Sequence, residues 1–105
     1  MTRQLRLSPE AVAEAREATR WYDERSPGIG ASLLDEVAAA VADLSRWPGA
    51  GGLIEGMPVD GEVRRVPIGR FPYHLVYTYT DDVVHVLAVA HDRREPGYWA
   101  SRADG

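Results

Sequence analysis

Residues 62–92 read EVRRVPIGRFPYHLVYTYTDDVVHVLAVAHD, and the alternation in this stretch decides the fold. Val63 to Ile68, Tyr73 to Thr80 and Val83 to His91 are rich in β-branched and aromatic residues at a period of two, the pattern of three strands. Gly69-Arg70-Phe71-Pro72 links the first pair and Asp81-Asp82 forms a tight turn between the second pair. Links this short predict antiparallel pairing in a meander.

Upstream, the period changes. Pro48, Gly49, Gly51, Gly52, Gly56, Pro58 and Gly61 mark residues 48–61 as a loop. Before it, Leu33, Leu34, Val37, Val41 and Leu44 recur at three- and four-residue spacing, which predicts a helix over 30–47. An earlier helix is expected over 8–25, started by Ser8 as a capping hydroxyl, Pro9 in the first turn and Glu10 against the dipole. Ala11, Ala15, Ala18 and Tyr22 form its inner face; Glu10, Glu14, Glu17, Arg16 and Arg20 fall on the outer side. Ser26-Pro27-Gly28 separates the two helices, so an antiparallel hairpin is expected. A short strand near 3–7 is expected to join the sheet. The fold class is thus α+β: a single domain over 1–105, with a helical hairpin covering one face of a small, mainly antiparallel sheet of three or four strands and the other face partly open.

Composition narrows the chemistry. The chain has 105 residues and no cysteine, which excludes a disulfide framework, a zinc ribbon and a thiol nucleophile. Net charge is −4, so general nucleic-acid binding is not expected. All twelve basic residues are arginines, which excludes a lysine base, a Schiff base and a P-loop ammonium. The longest apolar stretch, Val83 to Ala90, is interrupted by His85 and is far shorter than the roughly 20 residues of a membrane helix. With no signal-peptide pattern at the start, a cytoplasmic location is expected. His74, His85 and His91 lack close ligand spacing, so no metal and no cofactor are expected.

The basic residues gather in the second half: Arg64, Arg65, Arg70, Arg93 and Arg94, with Arg102 beyond. Across a sheet whose strands lie about 4.8 Å apart, Arg64 or Arg65 can approach the Arg93-Arg94 end. Such a group suits phosphates or a partner's carboxylates, or simply charges the strand ends against aggregation. His91, beside Asp92, is a candidate acid or base, or a surface histidine bonded to the adjacent turn. His74 and His85 fit cross-strand pairs. Tyr98 and Trp99 follow a Pro-Gly turn and can stack on a partner, or close the end of the core.

Three segments together bring a family into view: Trp21-Tyr22 with Arg25-Ser26-Pro27-Gly28; Arg64-Arg65 with Arg70 to Tyr77; and Val86 to Trp99. In order and spacing, from about residue 4 to 102, the chain resembles the RelE/ParE toxins of type II toxin–antitoxin modules, in their ParE-like branch. The resemblance implies a helical hairpin on a small antiparallel sheet, and a small cognate antitoxin that wraps the toxin in a hetero-oligomer. RelE-like members cleave mRNA in the ribosome, whereas ParE-like members are associated with poisoning of DNA gyrase. In the alignment, Arg65 and Pro67 stand where RelE-like toxins carry lysines, His74 stands at an expected arginine, Asp92 near another basic position, and Tyr98 matches. The leading expectation is therefore a non-catalytic gyrase inhibitor whose Arg64, Arg65, Arg70, Arg93, Arg94, Tyr98 and Trp99 meet target or antitoxin. The alternatives are a RelE-type interferase using Arg65, His74, His91 and Tyr98, and a degenerate member that only binds antitoxin.

Overall fold

The computed structural model describes residues 3–59 and 61–104; residues 1, 2, 60 and 105, which belong to the expected single domain and, for residue 60, to the expected loop, lie outside them. The chain runs β1 (Gln4–Leu7), α1 (Pro9–Arg25), α2 (Ile29–Arg46), β2 (Gly52–Ile54), β3 (Val63–Pro67), β4 (Tyr73–Tyr79) and β5 (Val83–His91). Short 3-10 turns occupy Pro48–Ala50 and Ala100–Asp104. The sheet order is β1-β5-β4-β3-β2; β1 runs parallel to β5 and the other neighbours are antiparallel.

Among the described residues, five strands replace the expected three or four. The addition is β2, inside the stretch read as loop, where only Leu53 and Ile54 follow the glycines and no alternation is long enough to register. The α1 start follows its sequence signal: Ser8 Oγ accepts the Ala11 N–H at 3.0 Å. The same hydroxyl donates to the Leu87 carbonyl at 2.8 Å, so one residue caps the helix and ties it to β5. Between the helices Gly28 adopts φ 94°, a backbone region in which a Cβ is strained. Asp23 then reaches across to accept the Gly30 N–H at 2.8 Å, covering one of the open donors at the start of α2.

Two apolar layers flank the sheet. On the helical side Ala11, Ala18, Leu33, Val37 and Leu44 pack on Leu75, Tyr77, Val84, Val86 and Val89. The opposite face, expected from the sequence to be partly open, is instead covered. Ile54, Met57 and Val59 from the glycine-rich segment and Trp99, Ala100 and Ala103 from the tail cover Val63, Val76, Ala88 and Ala90. The switch between layers is made by a β-bulge: Val76 pairs with Ala88 but Tyr77 with Val86, leaving Leu87 as an extra residue. The bulge sends Val89 and His91 toward α1 and Ala88 and Ala90 toward the tail. No helix among the described residues is long and apolar enough to cross a membrane.

Candidate functional site

The bulge opens the β4–β5 ladder, and polar side chains take up the freed groups. Glu14 Oε1 accepts the Val89 N–H at 3.1 Å, and Arg102 Nη1 donates to the Leu87 carbonyl at 3.1 Å. Arg102 Nη1 also pairs with Glu14 Oε1 at 2.9 Å, and the Tyr98 hydroxyl donates to Glu14 Oε2 at 2.6 Å. One carboxylate thus receives donors from β5 and from two points on the tail. Its side chain is only 16% exposed, so these bonds are made out of water, where they are stronger. Glu14, expected on the outer side of α1, instead faces β5. The spacing 11–14–18 puts it on the same stripe as the buried Ala11 and Ala18, a signal available in the sequence.

Tyr98 is held on its ring as well. The Arg94 guanidinium lies 3.9 Å from the ring centroid and that of Arg102 lies 5.0 Å away. Burial first, and then the hydrogen bond and charge of Glu14, push the Tyr98 phenol far above its usual pKa, with Arg102 and Arg94 offsetting only part. A phenol in this state gives up its proton reluctantly.

On the tail-side face, His74 is 8% exposed and its Nδ1–H donates to Asp92 Oδ1 at 2.8 Å. Arg65 Nη2 approaches the same oxygen at 4.0 Å. Asp92 therefore serves His74 and not the adjacent His91. Arg65, His74, Asp92, Arg94, Tyr98 and Trp99 line a cleft of about 80 Å³. Small-molecule sites commonly measure roughly 300–1,000 Å³, so the cleft cannot enclose a nucleotide.

His91 faces the other way. Its Nδ1 accepts the Arg93 N–H at 3.1 Å, which makes it the acceptor nitrogen of the ring. It lines a groove of about 440 Å³ beside α1, with Trp21, Tyr22, Tyr73, Arg94 and Tyr98. Trp21 is 48% exposed and carries the Arg25 guanidinium 3.7 Å above its ring.

The structure divides the expected set. Arg65, Arg94 and Tyr98 are brought together, with Arg93 exposed beside them and Arg70 exposed in the β3–β4 turn. Arg64 points to the opposite face from Arg65, donating to the Gly51 carbonyl at 2.7 Å and pairing with Glu62 at 3.0 Å. Neighbouring residues of a strand diverge in this way, so the pair Arg64-Arg65 never acts as one cluster. Trp99, placed in the contact set by sequence, is 2% exposed and forms the floor under the tail. His74 and His91 occupy different faces and do not form one constellation. Among the described residues no group of three or more His, Asp or Glu is arranged to hold a metal ion.

A chain of the chromosomal ParDE TA system from P. aeruginosa superposes with a TM-score of 0.69 at 16% identity, covering 86% of this chain and 96% of that one. The toxin RelE from E. coli, in the free state of a variant with two arginines changed to alanine, gives a TM-score of 0.67 at 21% identity, covering 99% of this chain and 96% of that one. At such identities the likeness is one of fold. No curated protein matches the sequence. The model of the ParE toxin of the type II toxin–antitoxin system parDE matches residues 5–96. With that match over most of its length and a hairpin-on-sheet architecture, the chain belongs to the ParE toxin family of type II toxin–antitoxin systems.

Proposed function

We propose that the chain is the toxin of a type II module, neutralised in the cytoplasm by a small cognate antitoxin, and that it inhibits DNA gyrase by binding instead of cutting RNA. The contact surface in this reading is Arg65, Arg70, Arg93, Arg94 and Tyr98; Trp99 lies buried beside Tyr98, and Arg64, on the opposite face, holds the Gly51 carbonyl instead. Arginine forks suit bidentate pairing with carboxylates, and a tyrosine beside them supplies an aromatic anchor.

One observation carries the non-catalytic reading: the Tyr98 hydroxyl is committed to Glu14 at 2.6 Å. Cleavage through a 2′-hydroxyl needs a group that takes one proton and a group that delivers another. Tyr98 is held protonated, and arginines keep their charge and exchange no proton at neutral pH. The family match supports the toxin and antitoxin part of the reading.

A second reading rests on the His74–Asp92 pair. With Nδ1–H on the carboxylate, the His74 Nε2 is left oriented as a base, and Arg65 and Arg94 line the same cleft. Primer extension on messages from cells expressing the protein separates the two. The expected result is growth arrest without new cuts in translated mRNA. New cuts that disappear in His74→Ala or Tyr98→Phe would replace the gyrase reading with the interferase one, and absence of growth arrest would leave an antitoxin-binding remnant.

A further inference from the structure

We propose that Glu14 is the positioning residue of this contact surface: without meeting the target itself, its carboxylate fixes Tyr98 and Arg102, and through the Tyr98 ring the guanidinium of Arg94. The inference rests on the surface assigned above. The segment that needs fixing has little backbone order of its own. After β5 ends at His91, residues 92–99 contain no helix or strand, and Arg94 and Tyr98 are tied by single turn bonds to the His91 and Glu95 carbonyls at 2.9 and 3.4 Å. Long side chains on such a segment lose affinity to their own freedom unless something orders them before binding.

Glu14 supplies that order from α1, a rigid element. Oε1 is anchored by the Val89 N–H on the far side of the bulge and by Arg102, which leaves Oε2 aimed at Tyr98. The Tyr98 ring then offers its π-system to Arg94 at 3.9 Å. The chain of contacts runs from helix to carboxylate to phenol to guanidinium, and only its last two members belong to the contact surface. The charged and titratable neighbours are Glu17, Tyr22, Tyr73, His91 and Arg94, which line the same groove, and Glu10, which acts on Arg102. The Tyr98 hydroxyl donates to Glu14 and to none of these neighbours.

The test is Glu14→Gln, which keeps the volume and an Oε1 acceptor for Val89 and Arg102 but turns an N–H donor toward Tyr98. Tyr98→Phe removes the same bond from the other end, and the double variant closes the cycle. Tyr98 ionisation, followed by NMR on ¹³C-labelled tyrosine, is expected to move to lower pH in Glu14→Gln. The protein concentration for half-inhibition of gyrase supercoiling is expected to rise about ten- to a hundredfold, the scale of one charge-assisted hydrogen bond. In the Tyr98→Phe background, Glu14→Gln is expected to add no further loss. An unchanged Tyr98 titration overturns the proposal, as do losses that simply add. If the wild-type protein leaves gyrase unaffected, the gyrase reading fails separately, and the titration of Tyr98 alone then supports or overturns the positioning role.

Discussion

Replacing Gly51 by alanine is expected to destabilise the protein by about 3–5 kcal/mol, through overpacking and two lost hydrogen bonds. The reason is steric, since Gly51 has φ −71° and ψ 155°, which any residue adopts. A Cβ built there collides with the Tyr77 hydroxyl, lies 2.8 Å from the Arg65 carbonyl oxygen and lies 3.0 Å from Tyr77 Cε1. Tyr77 has nowhere to move, being fully buried and bonded at its hydroxyl on two sides. That hydroxyl donates to the Pro48 carbonyl at 2.5 Å and accepts the Gly51 N–H at 3.0 Å. Displacing it strands a buried donor and a buried acceptor together. The site also joins β2 to β3 and carries the Gly51 carbonyl that holds Arg64. Urea unfolding monitored by tryptophan fluorescence measures the effect. A Gly51→Ala protein within about 1 kcal/mol of wild type would mean that the β2 edge yields at little cost.

The second large effect is expected at Trp99. Trp99→Ala should cost about 3–5 kcal/mol, the range for deleting a buried aromatic side chain. Trp99 is 2% exposed, and with Val63, Val76, Ala88 and Ala90 it makes the layer on the tail-side face of the sheet. Losing it also detaches its neighbour Tyr98, so stability and inhibition should fall together in this variant. Tyr98→Phe, by contrast, should lose inhibition with much less loss of stability, because the ring remains. The comparison is made by equilibrium unfolding of both variants beside the same inhibition assay. If Trp99→Ala keeps its stability while inhibition drops, Trp99 belongs to the contact surface after all and the burial account is wrong.

These two positions show what was legible in the sequence and what was not. Periodicity located both helices and three strands, because each is long enough to repeat its pattern: Leu33, Val37 and Leu44 are buried as the stripe requires, while Leu34, read into the same stripe, is exposed. Ser8 was readable as a cap because the capping chemistry is local. Three features needed the third dimension. The β2 strand is held by pairing with β3 and by the Tyr77 hydroxyl, both distant in sequence. The bulge at Leu87 flips the alternation inside an apolar run where both faces are buried, so no polar residue marks the flip. Arg64 and Arg65 look alike as a doublet, yet one is spent on loop carbonyls and the other meets the His74–Asp92 pair. Glu14 is a different case. Its place on the stripe between Ala11 and Ala18 was visible, but a charge among alanines reads as surface until its three donors are known.

The proposed binding of gyrase through an arginine–tyrosine surface is measured by DNA supercoiling with purified gyrase titrated with the purified protein. Relaxed plasmid is expected to stay relaxed as the protein is added, the cognate antitoxin to restore supercoiling, and Arg94→Ala and Tyr98→Phe to shift the titration to higher concentration. Full supercoiling at saturating wild-type protein would contradict the proposed binding.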